Sequence, residues 1–306
     1  MCTVTWLQRH EGYEVFCNRD ELKTRKPALP PRLAECNGVR YLAPIDNDGG
    51  GSWLGVNEFG VSLCLVNHYP NANGSAHVHD KKIPPLREAR GVLLDHQTTS
   101  QLNGAVAPHN TPLNPLKGGI KTPFTGGISK DEKFRSRGLL LTSLMDCVST
   151  DIFAQRLCHE ALEQYRPFIL LAFDLNDYFF IAQWDGLTLQ RRQLKQTDLP
   201  VTSSSFATED VVSARKEYFA TLAQFPRKID NTSFPDFHRS HIPERGAYSV
   251  CMHRDDAETV SFSHVHVTNA EVAFRYFSAA PCTVTEPECL RLRITQAAPV
   301  DSFSVK

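Results

Sequence analysis

Short runs of β-branched and aromatic residues, separated by polar, glycine or proline turns, recur along most of the chain. Met1 to Leu7 and Tyr13 to Glu21 are two such runs joined by Gln8 to Gly12, a spacing that predicts an antiparallel hairpin. Lys26 to Pro31 holds three prolines and is expected to be a connection. Val39 to Ala43 reads as a short strand. Ser52 to Asn57 and Val61 to Asn67 read as a second hairpin around Glu58-Phe59-Gly60. Val61, Leu63, Leu65 and Asn67 share one face of its second strand, and Ser62, Cys64 and Val66 the other. Both faces are largely apolar, so this strand should be buried on both sides.

From Ser136 the period lengthens. Leu139, Leu140, Leu141, Leu144 and Val148, then Ile152, Phe153, Leu157 and Leu162, recur at three- and four-residue steps, which predicts two helices. Ser149 or Thr150 supplies the cap between them, and Arg166-Pro167 ends the second. Phe168 to Asp174, Tyr178 to Trp184 and Leu187 to Leu194 return to strand, and Val201 to Phe206 leads into a helix over Asp210 to Phe225. Pro226 to Gly246 is expected to be a connection. Ala247 to His253, Thr259 to Val267 and Glu271 to Phe277 are expected to close the chain as strands. Strand pairs, two helices, more strands, a helix and final strands predict an α+β fold of antiparallel sheets with helices layered outside. Between about 71 and 134 the composition turns polar and rich in Pro and Gly, with one helix-like run at Leu86 to His96. This reads as an insertion within a single domain spanning 1–306.

Composition narrows the function. With 41% hydrophobic and 22% charged residues the chain is an ordinary globular sequence, and its formal net charge of -1 carries no basic block to hold nucleic acid. No run approaches the roughly 20 apolar residues of a membrane span. Gln8 to Glu11 interrupt the apolar start before it resembles a secretory signal, so a cytoplasmic protein is expected. Nine cysteines include no C-x-x-C pair; the eight other than Cys2 read as buried thiols in a reducing compartment, and no metal site is expected. His77 and His79 lie in the polar insertion and read as solvated. His264 and His266 share a strand face without a third ligand and read as a structural pair. Asn47 to Gly51 is glycine-rich but lacks the lysine and helix of a phosphate loop.

Position 2 changes the picture. Removal of the initiator methionine would make Cys2 a residue with both a thiol and a free α-amine, and an amine with an ordinary pKa of about 7.7 to 8 can act as the base for its own nucleophile. The predicted hairpin returns Asn18-Arg19-Asp20-Glu21 beside it.

Met1-Cys2-Thr3 together with that tetrapeptide resembles the NRDE family, also called the transport and Golgi organization protein 2 family. Gly51-Ser52-Trp53-Leu54-Gly55, Gly60-Val61-Ser62-Leu63, Asn67, Ser136-Arg137-Gly138 and Tyr165 to Phe168 follow in the family's order. The resemblance implies a four-layer αββα sandwich similar to the Ntn hydrolases, related to choloylglycine hydrolases and penicillin V acylases. It implies a cysteine amidohydrolase acting on a non-peptide linear amide, with no cofactor required. Cys2 would be the nucleophile, Asn67 an oxyanion donor, and Arg19 and Asp20 the charged partners. A gapless comparison places the charged pair at Asn18 and Glu21 instead, and a one-residue slip restores Arg19; such a slip reverses the strand face. Where the related hydrolases carry a further asparagine this chain has Ser203, a shorter donor. The family has also been linked to haem trafficking and lipid homeostasis, which implies an alternative: a non-catalytic binding protein for haem or acyl-coenzyme A.

Overall fold

The computed structural model describes residues 2–70, 134–176, 178–224 and 233–295. The opening alternation forms an antiparallel hairpin, β1 (Cys2–Arg9) and β2 (Gly12–Leu22). β3 (Leu29–Cys36), β4 (Val39–Ile45), β5 (Leu54–Asn57) and β6 (Ser62–Asn67) follow. Then come helices α1 (Arg137–Ser143) and α2 (Thr150–Leu157), and strands β7 (Phe168–Phe173), β8 (Phe180–Trp184), β9 (Leu189–Gln193) and the two-residue β10 (Val201–Thr202). Helices α3 (Thr208–Gln224) and α4 (Ser233–Arg239) precede β11 (Ala257–Thr268), β12 (Glu271–Phe277) and β13 (Glu288–Arg293).

The strands make two antiparallel sheets, ordered β10-β1-β2-β11-β12-β13 and β3-β4-β5-β6-β7-β8-β9. Their facing sides share one core in which Val4, Trp6 and Val15 of the first sheet meet Leu54, Val66 and Phe173 of the second. On the outer face of the second sheet, Leu140, Leu141, Phe153 and Leu157 of α1 and α2 pack on Leu63, Leu170 and Ala182. On the outer face of the first, Phe234 of α4 and Phe219 of α3 pack against Phe16 and Phe262. The result is the four-layer αββα arrangement. Each fully buried Leu or Phe contributes about 1.5–3 kcal/mol relative to exposure, so these three cores hold the layers together. β6 is buried on both sides because Leu63 serves the helix-side core and Cys64 and Val66 the inter-sheet core. Among the described residues, no helix is long and apolar enough to cross a membrane.

Three local expectations are corrected. The proline-bearing stretch is the start of β3, and the sheet tolerates it there because β3 is an edge strand whose register is irregular between Leu29 and Arg32. The expected connection over 226–246 contains α4. The strand expected over Ala247 to His253 is a run of turns, in which Ser249 Oγ hydrogen-bonds both Gly246 O (3.0 Å) and Cys251 O (2.8 Å). The helix expected over Leu86 to His96 and the His77/His79 pair lie outside the described residues.

Candidate active site

Cys2 is the first residue of β1 and is held from both sides. It pairs with Arg19 on β2, and its carbonyl accepts the Ser203 N–H at 3.1 Å beside β10. Alternate residues of a strand face opposite ways, and directly opposed residues of an antiparallel pair face the same way. Cys2, Arg19 and Glu21 therefore share the inward face, while Thr3, Asn18 and Asp20 share the outward one. The tetrapeptide that the sequence brings beside Cys2 is thus divided between two environments.

The inward face opens on a cavity of about 420 Å³. Cys2, Arg19 and Glu21 line it from the hairpin, Asp46, Ser52 and Trp53 from the β4–β5 segment, Leu65 and Asn67 from β6, and Arg135 to Gly138 from the start of α1. Gly51 and Gly138 let this last wall approach: a Cβ on Gly51 would lie 2.1 Å from the carbonyl carbon of Gly138, and one on Gly138 2.8 Å from Ser52 N. The glycine-rich stretch is therefore a close backbone contact that seats α1 against the site.

Arg19 is 3% exposed, with its guanidinium carbon 4.2 Å from the centre of the Trp53 ring. It lies 3.3 Å from Glu21 Oε1 and 3.5 Å from Asp46 Oδ1. Arg25 closes the same network through Asp46 Oδ2 (2.6 Å) and Asp48 Oδ2 (3.3 Å). The opposite wall is different. Arg137 donates to Pro167 O at 2.8 Å, Arg135 to Gln164 Oε1 at 3.3 Å, and Arg166 lies over Phe134 at 5.7 Å. Among the described residues none of these three has a carboxylate partner. The cavity lining holds five arginines against three carboxylates, an excess of two positive charges. Burial pulls the Arg137 guanidinium below its ordinary pKa, as expected for a cation short of a counter-ion. Hydrogen bonding with Cys17 and burial push the Cys2 thiol well above its ordinary value, so it rests protonated.

Asn67, at the end of β6, donates to Tyr69 Oη at 3.3 Å and lines the cavity across from the hairpin. Ser203 Oγ and Trp53 Nε1 are buried without a hydrogen-bond partner among the described residues. An orphaned buried donor is costly; Trp53 lines the cavity, where a ligand would reach it, whereas Ser203 is not among the lining residues.

The outward face is closed. Asp20 is fully buried, accepting from Thr259 Oγ1 at 2.7 Å and lying 3.4 Å from an Arg215 nitrogen. Arg215 itself is 1% exposed and donates to Thr3 Oγ1 (2.8 Å) and Thr202 Oγ1 (3.1 Å), tying β1, β2 and β10 to α3. Asn18 Nδ2 donates to His238 O (2.8 Å) and Val250 O (3.0 Å). Its Oδ1 must then accept, so His238 Nδ1 carries the proton at 3.1 Å and His238 Nε2 accepts from Thr5 Oγ1 at 2.8 Å. Burial lowers the His238 pKa to about 3, which agrees with this neutral tautomer. Sequence reasoning missed Arg215, although it stands at a regular step in the apolar stripe Val211, Arg215, Tyr218 of α3, where a charge calls for a buried partner. Among the described residues His264 and His266 fall in no cluster of three potential metal ligands; His264 bonds Glu14 Oε2 at 2.6 Å and stacks on Phe16.

A two-sheet αββα fold with a cysteine at the head of its first strand defines the class of arrangement. Residues 1–101, which include β1 to β6, match the family described as Transport and Golgi organisation 2, as the sequence resemblance implies. Comparison with curated proteins yields no match. Among solved structures the chain is similar to a penicillin V acylase from Agrobacterium tumefaciens, at 9% identity and a TM-score of 0.45 over 96% of this chain and 86% of that one. It is also similar to a mutant conjugated bile acid hydrolase from Clostridium perfringens, at 12% identity and a TM-score of 0.47 over 95% and 92%. These likenesses assign no residue a role.

Proposed function

We infer that the protein is a cysteine amidohydrolase of the N-terminal-nucleophile type, acting after loss of Met1 on a non-peptide linear amide that carries an acidic group. The observation that carries this reading is the position of Cys2, at a strand start, facing a cavity that it shares with Arg19 and Asn67. A thiol held protonated needs a base, and the freed α-amine of the same residue supplies one. The thiol proton passes to that amine as sulfur bonds the amide carbonyl carbon. Asn67 and backbone N–H groups stabilise the oxyanion. The C–N bond then breaks, the leaving nitrogen takes the proton from the amine, and water hydrolyses the thioester to regenerate Cys2. Arg19, fixed by Trp53, Glu21 and Asp46, keeps positive charge beside the thiol. Asp20 works from the other face, holding the strand end through Arg215 and Thr3. Arg135, Arg137 and Arg166 receive the acidic group, and no cofactor takes part.

Assay of the Met1-free protein against N-acylated amino acids and matched neutral amides tests this. Hydrolysis restricted to the acidic amides and abolished in Cys2→Ala is expected, and hydrolysis that survives Cys2→Ala would remove the reading.

A second reading, a binding protein for acyl-coenzyme A or haem, draws on the same three arginines of the cavity wall and on the protonated resting state of Cys2. Titration with each ligand separates the two: saturable binding without turnover favours this reading, and absence of binding ends it.

A further inference from the structure

Apart from the cavity, four potential metal ligands converge on the outward side of the first sheet. His241, Cys251, His253 and Cys282 each direct one ligand atom into a common space, and all four atoms lie within 4.8 Å of one another. They come from three stretches of chain with little regular structure: the segment after α4, the run of turns at 251–253, and the turn after β12. Cys251 Sγ is 3.5 Å and Cys282 Sγ 3.4 Å from His253 Nε2. Zinc bonds of about 2.3 Å to sulfur and about 2.0–2.1 Å to nitrogen place tetrahedral S and N ligands roughly 3.5 Å apart. The observed separations are those of such an edge. His241 Nε2 is buried and has no hydrogen-bond partner among the described residues. His241 thus carries a buried ring nitrogen whose hydrogen-bonding capacity no described group meets, in a ring that also offers a ligand atom to the cluster.

We propose that His241, Cys251, His253 and Cys282 form a structural zinc site. Two thiolates and two neutral imidazoles make a closed tetrahedral donor set that suits zinc and leaves no position for water or substrate, so the site is a staple. Each thiol loses its proton to solvent as its sulfur bonds the metal. Ligation through His253 Nε2 puts the ring proton on Nδ1. The Arg245 guanidinium now 3.4 Å from that nitrogen is itself only a donor, so it turns out to solvent when metal binds. The staple links chain positions 41 residues apart, where hydrogen bonds such as Cys251 N to Ser240 O (3.0 Å) and Arg239 Nε to Pro281 O (3.1 Å) are the local ties. It also reaches the strand carrying Asp20. Met252 N donates to Thr259 Oγ1 at 2.8 Å, and Thr259 Oγ1 donates to Asp20 Oδ1 at 2.7 Å. Zinc therefore braces the outward mount of the β1–β2 hairpin from its far end.

The test uses the full chain purified under reducing conditions without chelator. Elemental analysis is expected to give about one zinc per chain. After metal removal, titration with cobalt(II) is expected to give the visible bands of tetrahedral coordination and a thiolate charge-transfer band, saturating at one equivalent. Cys282→Ser and His241→Ala replace half-buried residues, so both should remain folded by circular dichroism. Each should weaken zinc binding by more than about 100-fold, since changes outside the ligand set alone cost 10–100-fold. Arg245→Ala should keep full zinc binding. Substoichiometric zinc after reconstitution, cobalt spectra without tetrahedral bands, ligand variants that bind like the parent, or loss of zinc in Arg245→Ala would each overturn the proposal. So would a Cys251–Cys282 disulfide in the peptide map of the reduced preparation. None of these readouts depends on amide hydrolysis.

Discussion

The two faces of the first hairpin carry adjacent residues of one motif into opposite kinds of environment. Inward, Cys2, Arg19 and Glu21 border a cavity whose far wall carries Arg135, Arg137 and Arg166, cations with no carboxylate partner among the described residues. Outward, Thr3, Asn18 and Asp20 have their polar groups paired with α3, α4 and β11. The difference teaches that Asn18-Arg19-Asp20-Glu21 is two devices interleaved at the strand period of two. One turns charge into the cavity, and the other fixes the strand that carries it.

If the faces differ in this way, substitutions should separate activity from stability. Cys2→Ala should lower amide hydrolysis by about 10³-fold or more, the scale seen when a nucleophile is removed. Loss of one buried sulfur should cost only about 1 kcal/mol in urea unfolding. A stability loss several times larger would place Cys2 among the structural groups. Arg215→Met should do the reverse first. It takes the Arg215 cation away from the buried Asp20 carboxylate, a change worth about 3–5 kcal/mol. Asn18→Ala should come next, at about 2 kcal/mol by the same measurement, because two backbone carbonyls and a histidine N–H lose their partner. A variant at position 18 that keeps full stability but loses turnover would contradict the division.

The last effect is one of pH. His238 has a folded pKa of about 3, lowered by burial from an ordinary value near 6.5. The unfolded chain therefore binds the extra proton first. Stability from keeping this ring neutral is fully present above about pH 6.5 and falls as pH drops toward 3. Glu14, held near 2 against burial by His264 and Arg9, adds a second loss below about 4.5. Urea midpoints across pH 7 to 4 should decline, and His238→Gln should flatten the part between about 6.5 and 4.5. An unchanged slope in that variant would show that the outward histidine does not carry it.

Much of the architecture was legible because strands with two buried faces and hairpins with polar turns write a clear period. β6, with Leu63 on one side and Cys64 and Val66 on the other, is the plainest case. β3 was hidden by prolines that only an edge strand tolerates, and β13 by its polar exposed face, which leaves Leu290 and Leu292 as its apolar signal. α4 was hidden by its seven-residue length within a polar stretch. In the site, the period-two rule could place Arg19 with Cys2 once the register was known, but the register depends on the turn through Gly12. Arg137 was visible as a motif residue without a role, since its place in the cavity wall is a three-dimensional fact. The same holds for Cys282, which meets His241 across 41 positions with no local spacing to announce it.

The central claim is that Cys2 acts through its own α-amine. The mass of the N-terminal peptide, taken from protein isolated from its native host, tests this most directly. Loss of Met1 with an unmodified Cys2 amine is the expected result. A retained Met1, or a blocked Cys2 amine, would contradict the account.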